Sequence, residues 1–277
     1  MWRIVSDSSC DLHSLPGNYP DIDFVTIPFN ITIGSNEYID NEDIDLVKMM
    51  EDNESSPEIA QTACASPEAW SNEFLKGDKI LAFTISSALS GSFSSACTGQ
   101  TMAEEANPDI KVKVVDSKGT GPELAKLIMK ACELISSDMD FDDIVKALDD
   151  YADETKIIFA LASYHNLIKN GRISRLKGLV AGHLNFWGIG VGDEKGEIAM
   201  RGKAHGEKKM IKFLVNDITT FKKEVDFIVI SHCFNEGAAN LLKERLIEAY
   251  GDIPITILPT RGLDSFYAER NGLIIAY

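Results

Sequence analysis

Short apolar runs alternate with stretches of helical spacing along most of the chain. Arg3-Ile4-Val5, Phe24-Val25-Thr26-Ile27 and Asn30 to Ile33 read as strands, rich in β-branched residues and bounded by turn formers. Helical spacing follows from about Ile44 to Met50, with Asp43 or Asp45 as the N-cap. Ser66-Pro67-Glu68 predicts another helix start: a capping serine, proline at the first helical position and an acid in the first turn. Lys79 to Ile85 predicts a buried strand running into Ser86-Ser87-Ala88-Leu89-Ser90-Gly91-Ser92, with a helix opening near Phe93. Val112 to Val115 ends in Asp116-Ser117, and Leu124 to Ile135 is helical again. Strand, polar turn and helix in repetition predict an α/β sheet of parallel type.

The acidic helix Phe141 to Asp150 closes this half, and a break is expected at 150–156. Beyond it, strands are predicted at Ile157–Ala162, Leu184–Ile189, Ile198–Arg201, Val225–Ser231, Ile253–Leu258 and Leu273–Tyr277, with helices near 207–219 and 237–249. The expected fold is therefore a two-domain α/β protein. Residues 1–154 form a parallel-type domain and residues 155–277 a mixed one, with the segment around 60–78 able to pack on the second. No repeat or low-complexity linker interrupts the chain, so the two parts are expected to share a broad interface.

Charge sharpens this picture. The 277 residues carry 43 acidic and 27 basic side chains, a formal net charge of -16. Nucleic-acid binding needs positive charge to displace counterions, so nucleic acid is excluded as a partner, and general adhesion to anionic bilayers is disfavoured. Residues 1–154 hold 10 basic and 30 acidic groups (net -20), residues 155–212 hold 11 and 4 (+7), and residues 213–277 hold 6 and 9 (-3). Lys169, Arg172, Arg175 and Lys177 fall in one acid-free stretch, read either as a solvated face or as a docking surface for an anionic partner. No apolar run approaches the ~20 residues of a membrane span. Trp2-Arg3-Ile4-Val5 passes straight into Ser6-Asp7-Ser8-Ser9 without a signal-peptide core. The five cysteines are widely spaced with no C-x-x-C, which predicts a reduced, cytoplasmic protein without a zinc knuckle.

Hydroxyls are the unusual chemical resource. Thr62 precedes the Ser66-Pro67 helix start, and Ser87, Ser90, Gly91 and Ser92 stand at a strand-to-helix turn. Helix N-termini present free N–H groups and partial positive charge, so hydroxyls beside them suit a carboxylate or phosphate; Ser90 acting only as a cap is the plainer alternative. Gly-x-Ser-x-Gly is absent, which removes the hydrolase elbow. His232 follows an apolar strand and could serve Ser90 as a base, with Asp7 or Asp116 behind it, in an acyl- or phosphoryl-transfer enzyme. His13, His165, His183 and His205 have no metal-ligand spacing, so neither a metal nor another cofactor is expected.

Ser6-Asp7-Ser8-Ser9-Cys10-Asp11-Leu12, Ile85-Ser86-Ser87-Ala88-Leu89-Ser90-Gly91-Ser92-Phe93, Asp116-Ser117, Asn170-Gly171-Arg172-Ile173 and Leu184-Asn185 lie in order along nearly the whole chain. Together these segments resemble the DegV family of bacterial lipid-binding proteins. The family's T-S-Q-P-S-P is represented by Thr62-Ala63-Cys64-Ala65-Ser66-Pro67. The resemblance implies a two-domain α/β carrier that holds one long-chain fatty acid in a tunnel between its domains and presents the carboxylate to a separate fatty acid kinase. It implies that Thr62 and Ser90 contact the carboxylate, that Ser87, Gly91 and Ser92 support them, and that Arg172 lies on the partner-facing or rim side, with Arg175 and Lys177 as further docking residues. Transient membrane contact is compatible with such a carrier. Two departures stand out. The family's C-terminal His-x-Gly-Pro-Gly is replaced by Thr260 to Gly272, leaving Arg261 or Arg270 as candidates for the missing charge. Phe186-Trp187-Gly188 replaces a Lys-Pro after Leu-Asn, so these aromatics either reshape the acyl tunnel or belong to the core.

Overall fold

The computed structural model describes residues 1–173 and 186–277. In chain order the elements are β1 (Trp2–Asp7), β2 (Ile22–Ile27), β3 (Asn30–Ile33), β4 (Asn36–Ile39), α1 (Leu46–Ser55), β5 (Gln61–Ala63), α2 (Pro67–Phe74), β6 (Lys79–Thr84), α3 (Ser92–Ala106), β7 (Lys111–Asp116), α4 (Pro122–Ile135) and α5 (Phe141–Glu154). They continue with β8 (Ile157–Leu161), α6 (His165–Lys169), β9 (Phe186–Gly192), β10 (Ile198–His205), α7 (Glu207–Phe221), β11 (Ile228–His232), α8 (Glu236–Tyr250), β12 (Ile255–Pro259), α9 (Gly262–Ala268) and β13 (Leu273–Ala276).

The first sheet is fully parallel, in the order β2-β1-β6-β7. Strand alternation splits its apolar residues between two faces. Ile80 and Ala82 join Trp70 and Phe74 of α2 and Ala96 of α3, while Leu81 and Phe83 join Leu124 and Ile128 of α4 and Ile144 and Leu148 of α5. Burial on both faces explains why β6 reads as an unbroken apolar run. The second sheet is mixed, in the order β10-β9-β8-β13-β11-β12, with β11 and β12 parallel and the remaining neighbours antiparallel. One face packs on α7 and α8 through Ile158, Ala160, Trp187, Ile189 and Leu273. The expected class, a parallel α/β sheet followed by a mixed one, is the fold observed.

A third sheet, β4-β3-β5, is antiparallel and was legible only at β3. Its Ile31 and Ile33, with Met49 and Met50 of α1, share one apolar cluster with Ile157, Phe159 and Ile274 on the other face of the second sheet. Within residues 1–154, the segment from Asn30 to Ala63 packs on this face of the second sheet and α4 packs near β11 through Val229, whereas α2 packs on α3. Local chemistry sets the helix ends as expected: the Asp45 side chain accepts from Lys48 N at 3.0 Å, and Ser66 Oγ accepts from Ala69 N at 3.3 Å. The α1 helix starts two residues later and ends five residues later than its apolar spacing indicated. Lys126 ties the two large sheets together. It is buried on α4, donating to Asp226 Oδ1 at 2.7 Å and to the Phe227 carbonyl at 2.6 Å just before β11.

Candidate ligand-binding site

A cavity of about 320 Å³ lies where the three sheets meet. The carboxyl end of β6 supplies Ile85 and the following turn Leu89, Ser90 and Gly91; the loop after β7 supplies Gly119 and Thr120. Strand β5 supplies Thr62 and the residue just after it is Cys64, while α9 supplies Leu263, Asp264 and Tyr267. The wall formed by the second sheet is apolar, with Ile157, Phe159, Leu161 and Ile274. Such a position, beyond the carboxyl ends of parallel strands, is where open α/β sheets ordinarily bind ligands. The volume sits at the lower end of the ~300–1,000 Å³ usual for small-molecule sites.

The cavity's hydroxyls are held by a buried scaffold. Asp7, at the end of β1, accepts from Ile85 N at 3.0 Å, from Ser92 Oγ at 2.6 Å and from Ser9 Oγ at 2.5 Å. Burial pushes this carboxyl up from its ordinary value despite those donors. It thereby pins the end of β6 to the start of α3. Ser90 Oγ accepts from Ser92 N at 3.2 Å, the first N–H of α3, and the N-cap Gly91 has no side chain to accept from the next two, those of Phe93 and Ser94. Those groups remain available to an anion beside Ser90. Thr62 lies on β5, opposite Ile31 of β3, and its Oγ1 is 3.0 Å from the Tyr267 hydroxyl.

Tyr267 is the residue that the sequence reading missed. The chain departs from the family pattern there, and where Arg261 or Arg270 was expected to bring a cation the structure puts a phenol in the cavity. Leu263 and Tyr267, four residues apart on α9, both face it, and that spacing was the available signal. Asp264 also lines the cavity and accepts from Thr120 Oγ1 at 2.5 Å. Burial and the neighbouring Asp11 push the Asp264 carboxyl well above the ordinary range.

The remaining expected residues separate. Gly91 lines the cavity with Thr62 and Ser90. Ser92 is fully buried and its hydroxyl is spent on Asp7, while Ser87 stands exposed outside the lining, its N–H donating to Asp116 at 3.1 Å. Arg261 is not in the lining. It is buried, its guanidinium donating to the Leu12 carbonyl, Thr26 Oγ1 and the Asp40 carbonyl at 3.1–3.2 Å. Arg270 is also absent from the lining. It pairs with Glu54 at 2.5 Å and lies over Phe234. The described cations that do line the cavity are Lys118 and Arg172, and Arg172 donates to the Asn170 carbonyl at 2.8 Å. Arg175 and Lys177 lie outside the described residues. Trp187 belongs to the core against α7 and α8, and Phe186 stands near His205, so neither aromatic shapes the cavity.

Ser90 and His232 are not brought together. His232 ends β11, outside the cavity lining, and its Nδ1 accepts from Asn235 N at 3.3 Å. Burial lowers its basicity. Among the described residues no cluster of His, Cys, Asp and Glu could hold a metal ion, and no helix is long and apolar enough to cross a membrane.

Comparison with known proteins places the chain in a family. The profile described as "Uncharacterised protein, DegV family" matches residues 1–271. A DegV domain-containing protein of Streptococcus pneumoniae is 36% identical over 276 residues, covering 100% of this chain and 98% of that protein. Among solved structures, the Streptococcus pneumoniae fatty acid kinase B3 protein loaded with linoleic acid superposes with a TM-score of 0.96 at 36% identity, covering 100% of this chain and 98% of the other. A DegV family protein from Eubacterium eligens loaded with heptadecanoic acid gives 0.95 at 31% identity, with 100% and 99% covered. The family profile over residues 1–271, the identity along the whole length and the superposition of the fold converge on one conclusion: the chain belongs to the DegV family.

Proposed function

We propose that this protein is a carrier that holds one long-chain fatty acid in the three-sheet cavity and presents its carboxylate to a separate fatty acid kinase. One observation carries the reading: a largely apolar cavity ending in the Thr62, Ser90 and Tyr267 hydroxyls beside the N-terminus of α3. The acyl chain lies against Ile157, Phe159, Leu161 and Ile274, and the carboxylate accepts from Thr62 and Ser90, with Tyr267 close enough to donate through or beside Thr62. Arg172 at the cavity, with Arg175 and Lys177 shortly after it in sequence, serves the partner. The carrier needs no metal or cofactor and does no bond-making of its own. The fatty acids held by its structural relatives support this reading.

The energetics are adequate. Each buried methylene contributes about 0.8 kcal/mol, so about a dozen give on the order of 10 kcal/mol before ordering costs. Micromolar or tighter binding then requires no covalent bond. The polar end chiefly keeps a buried carboxylate from going unpaired.

Solvent extraction of protein purified without added lipid, followed by mass spectrometry, is expected to release about one fatty acid per chain. Lipid-free protein that also refuses added fatty acids overturns the proposal. A fluorophosphonate probe tests the transferase alternative, and labelling at Ser90 would favour it.

A further inference from the structure

Strand β9 reads Phe186-Trp187-Gly188-Ile189-Gly190-Val191-Gly192, with its three glycines two residues apart. Alternate strand residues share a face. Trp187, Ile189 and Val191 point into the core beneath α7 and α8, so the glycines turn to the opposite face, toward the cavity. Each glycine receives a side chain from elsewhere. A Cβ on Gly192 would stand 2.8 Å from Ile157 Cγ2, one on Gly188 would stand 3.0 Å from Tyr164 Cζ, and one on Gly190 would stand 2.5 Å from Phe159 Cε2.

The Gly190 pairing has the most direct consequence. Phe159 sits opposite Gly190 in the antiparallel β8–β9 ladder, and its ring lies over the space that a side chain there would hold. Phe159 is also a wall residue of the cavity. Tyr164, seated over Gly188, packs against the Phe159 ring with centroids 6.4 Å apart and blocks movement toward that side. The sheet lies below. A ring lifted off Gly190 therefore moves into the cavity.

We infer that Gly190 and Phe159 together set the length of acyl chain that this protein accepts, the glycine letting the ring lie flat against the sheet and leaving the cavity deep. This inference rests on the fatty-acid reading above. It assigns acyl-length selection to a contact between two strands, away from the hydroxyls that hold the carboxylate.

The test uses the full-length protein, delipidated, with affinities measured for dodecanoic, myristic, palmitic and stearic acids by displacement of a fluorescent fatty acid. Gly190→Ala is expected to keep dodecanoic acid within about threefold and to weaken stearic acid by at least about tenfold, the scale of one or more methylenes rejected by an apolar pocket. Adding Phe159→Leu to Gly190→Ala shrinks the displaced side chain and restores stearic acid. Gly202→Ala is the matched control, because a Cβ there would stand 2.7 Å from Phe213 of α7, outside the cavity lining. It creates a similar clash and should leave the length profile unchanged. Phe159→Leu alone introduces no clash and should raise stearic relative to dodecanoic acid, so it stands in if Gly190→Ala fails to fold. A folded Gly190→Ala or a Phe159→Leu with the wild-type profile overturns the inference, as does Gly202→Ala losing stearic acid in the same way. Wild-type protein that takes up no fatty acid overturns the carrier reading and this inference with it.

Discussion

Thr62, Ser90 and Tyr267 come from three elements far apart in sequence, yet each supplies one uncharged hydroxyl to the same cavity. Neutral donors hold a carboxylate without the desolvation cost of a buried cation, and they do not trap the anion as firmly as a salt bridge would. Thr62→Val and Ser90→Ala are each expected to weaken fatty-acid binding by roughly 1–3 kcal/mol, the cost of an under-satisfied buried acceptor. Displacement titration checks both, and unchanged affinity in the double variant would show that the head group lies elsewhere. Tyr267→Phe removes the 3.0 Å partner of Thr62 and should weaken binding in the same direction by about 1 kcal/mol. Ser92→Ala is expected to act differently. It deprives the buried Asp7 of a donor at 2.6 Å, so it should lower the melting temperature.

At the scale of elements, α9 is held in place from outside itself. Asp40, at the end of the three-stranded sheet, accepts from Gly262 N at 2.8 Å and Leu263 N at 2.9 Å, and Ser8 Oγ donates to it at 2.8 Å. Asp11 accepts from Arg261 N at 2.8 Å. These bonds set the position from which Leu263, Asp264 and Tyr267 reach the cavity. They also carry a pH signature. Burial pushes Asp11 up to about 7 in the fold, against an ordinary value of 3.8. The folded state therefore holds a proton that the unfolded chain releases, so this contribution to stability is complete below pH 3.8 and is lost as pH rises toward 7. Asp11→Asn should flatten the fall of melting temperature over that interval, as scanning calorimetry at a series of pH values would register. Asp226 has the opposite sign. Burial alone would raise it, but Lys126 and Tyr151 hold it down to about 2, so its contribution is present above pH 3.8 and is lost as pH falls through about 2.

For the whole molecule, the net charge of -16 conceals a segmental distribution, with +7 confined to residues 155–212. Arg172 lies at the cavity itself, so a partner that approaches the bound acid through this segment meets positive charge on an otherwise acidic protein. Such a distribution steers encounter and fixes orientation more than it adds affinity. Under the carrier proposal, charge reversal at Arg172, Arg175 and Lys177 is expected to weaken association with the kinase by at least about tenfold and to make it less salt-dependent. Reversal at Arg175 and Lys177 alone, which spares the cavity-lining Arg172, should leave fatty-acid content unchanged. Pull-down with parallel lipid extraction separates the two, and retention of the partner at wild-type strength would remove the docking role.

What the chain determined by itself was whatever depends on neighbours in sequence. Apolar periodicity located β1, β6 and β8, caps at Asp45 and Ser66 located helix starts, and the serine-rich turn after β6 marked part of the cavity lining, because each signal lies within a few residues of what it specifies. The short β4 and β5 strands were not legible: three or four residues give too little pattern, and their burial depends on a sheet that is remote in sequence. Only the tertiary structure decided which polar groups face the ligand. Arg261, Arg270, Ser87 and Ser92 carry the right chemistry, but a buried carboxylate, a carbonyl or an exposed site claims each of them first. Tyr267 meets Thr62 across 205 positions, and Gly190 meets Phe159 only through the pairing of two strands. Those contacts exist because three sheets close on one cavity, and no local pattern encodes that closure.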